Sequence, residues 1–178
     1  MTDAALVVAL ANARAVKRPT HARRAATHDA LADAVSANAL LEPFLEDPVN
    51  ARELPAVRAV QRAVVSIVDA LIDGSPPPVE ALNALAVAEP AIFALERHAN
   101  KELRATVRPR RGMGAATLLI AVIRELSELE PSRLRRCARP ECSLVFYDLS
   151  RSATQRWHAE RPCGSRERQR RHRAQHAA

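Results

Sequence analysis

The chain has 178 residues, of which 26% are charged and 48% hydrophobic, and a formal net charge of +7. This fits one medium domain with a small appendage, and the odd count of three cysteines argues against a secreted disulfide framework, while four glycines provide no glycine-rich phosphate loop. The charge is unevenly placed: residues 1–132 carry 15 Lys+Arg and 16 Asp+Glu (net −1), residues 133–178 carry 12 Arg and 4 Asp+Glu (net +8), and together these give the +7, so a polyanionic partner is expected for the C-terminal part alone.

Residues 4–16 form the first apolar run. Asp3 precedes it and no basic residue does, so it lacks the n-region of a signal peptide. It is also too short to span a bilayer. It predicts a core helix, with a strand as the alternative. Residues 17–26 (KRPTHARRAA) read as a solvated basic loop, or else as a second nucleic-acid contact. Thr27 is a candidate N-cap for a helix over about 28–41, with Leu31, Ala34, Val35 and Leu41 on one face. Between residues 53 and 73, Leu54, Val57, Val60, Val64, Val68 and Leu71 recur at helical spacing, and Arg52, Arg58 and Arg62 lie off that stripe. Pro55 suits the first turn of this helix, and Gly74 before three prolines stops it. A short helix over about 79–88 follows, with Leu82 and Leu85 inward.

Residues 91–108 suggest two short strands joined near His98 to Lys101, carrying Ile92, Phe93 and Leu95, then Leu103, Ala105 and Val107. After a basic loop over 108–112, Met113 to Ile123 is almost wholly apolar. With the segment to Glu130 it predicts a buried helix rather than a membrane span. Pro131 then leads through Arg133, Arg135 and Arg136 directly to Cys137.

All three cysteines lie in the next stretch, in the pattern C-x4-C-x15-H-x4-C formed by Cys137, Cys142, His158 and Cys163. Zinc takes four N/S ligands in a tetrahedron, typically as two short-spaced pairs. The alternatives are one disulfide with a free thiol, three unrelated thiols, or a surface His158 with another fourth ligand. The fifteen-residue gap suits a hairpin, with Leu144 to Tyr147 as one strand, 150–154 as the turn and Arg156-Trp157 starting the return strand. Three of the five aromatic residues (Phe146, Tyr147, Trp157) fall here. So small a module needs a metal or a disulfide to be stable. Cys163 stands where a helix begins, and a helix N-terminus favours a thiolate. That helix would carry Arg166, Arg168, Arg170, Arg171 and Arg173. Arginine offers paired donors to phosphate and to guanine edges, and Arg151 and Arg156 could add phosphate contacts. The plain alternative is a solvated tail.

Arg136 to Cys142, Phe146, Asp148, Ser150-Arg151, Arg156-Trp157 and Cys163 to Arg166 together resemble the CGNR zinc finger, over about residues 133–173. That finger usually follows an ABATE-type N-terminal domain in bacterial proteins described as stress-induced transcription regulators. Two departures stand out: His158 occupies the place of a cysteine after the tryptophan, and Ser165 that of the asparagine in the naming motif. Histidine keeps a zinc ligand.

The expected architecture is mainly α with a small β-hairpin. A helical ABATE-like domain over 1–132, with a short hairpin near 91–108, precedes a zinc-binding ββα-like (treble-clef-like) module over 133–178. The expected function is a cytoplasmic DNA-binding regulator holding one structural Zn2+, its N-terminal domain sensing something or dimerising. RNA or a protein partner is the alternative for the module, and a homodimer and a small-molecule effector stay open. No membrane association and no enzymatic activity are expected, since no catalytic constellation is visible and a metal with four protein ligands leaves no open position.

Overall fold

The computed structural model describes residues 4–13, 16–18, 26–88, 91–97, 103–109 and 114–176. The order is α1 (Ala5–Ala11), β1 (Val16–Arg18), β2 (Ala26–His28), α2 (Ala34–Leu41), α3 (Leu54–Asp73), α4 (Glu80–Ala88), β3 (Ala91–Arg97), β4 (Leu103–Pro109), α5 (Gly114–Glu128), β5 (Leu134–Arg136), β6 (Val145–Tyr147) and α6 (Ser165–Gln175). The chain is mainly helical, as expected. Among the described residues it has three two-stranded antiparallel sheets, β1–β2, β3–β4 and β5–β6. No described helix is long and apolar enough to cross a membrane.

The central element is α3. Its stripe of Leu54, Val57, Val60, Val64 and Val68 is buried, with Leu71 partly covered at the end. Each fully buried side chain of this kind contributes about 1.5–3 kcal/mol of transfer free energy. Gly74 takes a left-handed φ of 69° and ends the helix, and Ser75 N donates back to Ala70 O at 2.9 Å. Both α1 and α5 pack on α3 and on each other. The start of α1 is held from a distance: Leu6 N and Val7 N donate to the Glu125 carboxylate of α5, at 3.2 and 2.5 Å. Glu53 does the same for α5, accepting from Ala115 N at 3.3 Å while also binding Asn50. A Cβ on Gly114 would meet the Val49 backbone at 3.2 Å, so α5 begins on glycine for lack of space.

Several expectations need correction. The helix expected from residue 28 begins at 34, capped by Asp33, whose side chain accepts from Ser36 N at 2.8 Å. Thr27 instead pairs with Lys17 in the β1–β2 sheet. That shift rotates Val35 outward, 81% exposed, and leaves Ala37 and Leu41 facing the core. The segment 17–26 is strand at both ends, and its middle lies outside the described residues. The hairpin expected near 91–108 is present, paired from Ala91↔Pro109 to Arg97↔Leu103; its connection over 98–101 lies outside the described residues, as does Met113.

The core does not stop at α5. Leu134, Val145 and Tyr147 of the β5–β6 sheet belong to the same buried cluster as α1, α3 and α5. Asn12, just after α1, fixes the sheet in place: its Nδ2 donates to Val145 O at 2.8 Å and its Oδ1 accepts from Val145 N at 2.9 Å. The amide thereby occupies the outer edge of β6 as a third strand would.

Candidate metal centre and basic helix

Strand β5 runs into Cys137, and Cys137 N donates to Leu144 O at 2.9 Å, closing a tight knuckle around Cys142. Cys142 N in turn donates to Arg139 O at 2.9 Å. Here the structure departs from the expected hairpin. The partner of β6 is β5, upstream of the first cysteine, in the register Leu134↔Tyr147 to Arg136↔Val145. Arg156-Trp157 forms no strand; a single backbone bond, Ala138 N to Arg156 O at 2.8 Å, holds it against the knuckle. The order β5, β6, α6 still gives the ββα sequence of elements.

The buried carboxylate of Asp148 shapes the loop between. It accepts from Ser150 N (2.9 Å), Ser150 Oγ (2.5 Å) and Gln155 N (2.8 Å), with Arg135 Nε at 3.5 Å. Burial alone would raise its pKa, but these donors outweigh it and hold the carboxyl below the usual aspartate value. The loop thus carries the chain from β6 back to His158. A wide turn over Glu160–Gly164 then brings Cys163 to the start of α6. A Cβ on Gly164 would press the Trp157 ring at 3.1 Å and displace the exposed end of the Glu160 side chain at 2.6 Å, so a larger residue fits only if both give way.

These elements bring Cys137, Cys142, His158 and Cys163 together, their ligand atoms all within 4.8 Å of one another. A zinc tetrahedron built from ordinary bond lengths needs separations of about 3.6–3.8 Å, and Cys142 Sγ lies 3.5 Å from His158 Nδ1. The three thiols are buried and unpaired in any disulfide, which removes the disulfide alternative. Burial pushes the Cys142 thiol up to about 12 and the Cys163 thiol upward, each reinforced by the neighbouring Cys137. Burial also lowers the His158 pKa, so its imidazole is neutral at pH 7. Crowded thiols ionise together only around a cation, whose binding releases their protons, while the neutral imidazole is already in its ligating form. Arg139 adds to the fit. Its Nη1 is buried without a hydrogen-bond partner, and the guanidinium lies beside the Cys163 sulfur, where it would offset the net negative charge of three thiolates on a divalent ion. The residues present fit one structural zinc ion.

The basic helix is less free than its composition implies. Glu167 is 4% exposed and accepts from Arg170 Nε (2.9 Å), Arg170 Nη2 (2.7 Å) and Arg171 Nε (3.2 Å). The Arg170 hydrogen bonds first, then those of Arg171, draw its pKa down to about 2. Arg168 pairs with Glu160 and, with Arg156, flanks the Trp157 ring, their guanidinium carbons 5.9 and 5.6 Å from its centroid. Of the seven arginines expected to meet nucleic acid, Arg151, Arg156, Arg166 and Arg173 form no ion pair with any described residue. Sequence reasoning missed Asn12, Arg139 and the anchoring role of Glu167. Only Glu167 left a sequence signal, an acid at i and arginines at i+3 and i+4.

A family model described as "ABATE: Putative stress-induced transcription regulator" matches residues 4–131, and one described as "CGNR zinc finger" matches residues 133–176. Neither description is of an enzyme. No curated protein matches the chain.

Proposed function

The chain belongs to the ABATE family and carries a CGNR zinc finger, and from that premise we propose that it is a DNA-binding transcription regulator whose finger presents α6 to the duplex. In this reading residues 1–132 form a sensing or dimerising unit and 133–178 the nucleic-acid module. The observation that carries the proposal is local: the arginine-rich helix starts two residues after a metal ligand, Cys163, so its first turn is held by the same site that orders the finger. The exposed side chains of Arg168, Arg170, Arg171 and Arg173 then project from a fixed axis rather than a frayed tail.

Salt dependence tests this. If Arg151, Arg156, Arg166 and Arg173 each meet a phosphate while their paired neighbours keep their carboxylates, log K against log[salt] should slope at about −3.6 on duplex DNA. Full engagement of all seven would steepen it to about −6. A slope near zero, or equal binding after Arg166 and Arg173 are both changed to glutamine, defeats the proposal. Competition by structured RNA at equal concentration separates the RNA alternative.

A further inference from the structure

A groove of about 510 Å³ runs between the C-terminal end of α3 and the start of the zinc finger. Leu71 and Ile72 of α3 give it an apolar strip in an otherwise polar lining, Leu134 lies buried beneath it, Arg135 lines it along the strand, and Arg136 and Arg156 supply its guanidinium groups. We propose that this groove binds a small amphipathic organic anion, an apolar body bearing one carboxylate, sulfonate or phosphate group. The ligand would be held jointly by the helical part and the finger.

The size falls in the range of small-molecule sites, about 300–1,000 Å³. The three arginines are committed to different degrees. Arg135 is fixed: its Nη2 donates to Ala153 O at 2.5 Å and its Nε faces the sealed carboxylate of Asp148 at 3.5 Å. Arg136 is held by a pair with Asp69 at 2.8 Å, in which the two side chains are 40% and 35% exposed. So exposed a pair is screened by water and gives way readily to a second oxyanion. Arg156 makes no ion pair with any described residue and leans on Trp157. The groove therefore offers one open and one exchangeable guanidinium, and the planar donor fork suits an oxyanion. The apolar strip of Leu71 and Ile72 favours an anion with an apolar body over a bare inorganic one, which gains nothing from it. Because the walls come from α3 and from β5, an occupant would favour the docked arrangement of the two parts, and docking would in turn favour the occupant. The site stands apart from the proposed DNA contact, sharing Arg156 and no residue of α6.

The chain's single tryptophan makes the test direct. Energy transfer from Trp157 to bound 8-anilinonaphthalene-1-sulfonate reports binding, and changes in the groove locate it. The zinc-loaded full chain should show saturable transfer, reversed by octanoate and not by the same concentration of inorganic phosphate. The R136Q and R156Q changes should each weaken dye binding about tenfold, the loss expected for one charge-assisted contact, with zinc content and thermal midpoint unchanged. Ile72→Glu, which places a carboxylate on the wall, should abolish transfer. Transfer unaffected by all three changes would put the dye elsewhere and overturn the proposal, as would equal displacement by phosphate. If R136Q weakens duplex DNA as much as it weakens the dye, the groove belongs to a nucleic-acid surface and the small-ligand assignment is wrong. Loss of DNA binding through α6 changes alone would leave dye binding intact, so the two readings fail separately.

Discussion

Truncating Asn12 to alanine should destabilise the junction between the helical part and the finger by about 2–3 kcal/mol. Two hydrogen bonds are lost together, to Val145 O at 2.8 Å and Val145 N at 2.9 Å. Val145 is only 5% exposed, so water replaces the amide poorly. An unsatisfied backbone group in such a place costs about 1–3 kcal/mol, and a made bond contributes about 1 kcal/mol net; incomplete burial of Asn12 keeps the sum at the low end. For a chain of this size that corresponds to a fall of about 5–10 °C in Tm. Hydrogen exchange is the sharper assay, because it isolates the junction: the Val145 amide should exchange about 30–100-fold faster, whatever the rest of the chain does. The Asn12→Asp variant is a geometric control. Its carboxylate still accepts from Val145 N but sets an anionic oxygen against Val145 O, so at pH 7 it should be no more stable than alanine. Unchanged Val145 protection in Asn12→Ala, or rescue by aspartate, would refute the reasoning.

Removing zinc with a chelator, or changing Cys142 to serine, should make residues 137–175 protease-sensitive and shift Trp157 emission to the red, because structural zinc contributes about 10–16 kcal/mol to such modules; an unaltered digestion pattern would count against the site. The buried strip of Leu134, Val145 and Tyr147 should limit the damage, leaving the helices of the N-terminal part folded by circular dichroism. Glu167 gives a pH prediction. Its folded pKa of about 2 lies below its ordinary 4.5, so its ion pairs are fully present above about pH 4.5 and disappear as pH falls through about 2. Its carboxyl carbon resonance should therefore stay flat down to pH 4, where a free glutamate is more than half protonated.

The metal site was legible because its information is local. Four ligands at two short spacings sit within one stretch, and the tetrahedron constrains little else. The stripe of α3 was legible for the same reason, since period and cap are both written within twenty residues. What failed was pairing at a distance. Sequence favoured a hairpin inside the fifteen-residue gap because the gap is long enough for one. The chain instead uses β5, whose Leu134 is anchored in the helical core, so the sheet gains burial that a hairpin closed on itself would lack. Thr27 fits a helix cap by type, yet a paired strand and the better-placed Asp33 took precedence. Asn12 and Glu125 carry no local pattern at all, because their partners lie more than a hundred residues away.

Two acids, Glu167 in α6 and Glu160 just before it, change how that helix should meet a polyanion. Read as composition, five arginines between residues 166 and 173 repel one another and should fray the helix until a partner neutralises them. The structure relieves much of that repulsion internally. Glu167 ties Arg170 and Arg171 across one turn, Glu160 holds Arg168, and the first turn is pinned by the metal ligand before it. A helix already ordered loses little conformational entropy on binding, whereas a disordered arm loses it at that moment. Zinc-loaded protein should therefore show no gain of helicity by circular dichroism when duplex DNA is added. The Glu167→Gln variant should show one, because its arginines are released to repel each other until phosphate replaces the lost carboxylate. If the unaltered protein gains helicity on binding, or the variant gains none, then the internal pairs do not hold α6, and its order must come from the partner.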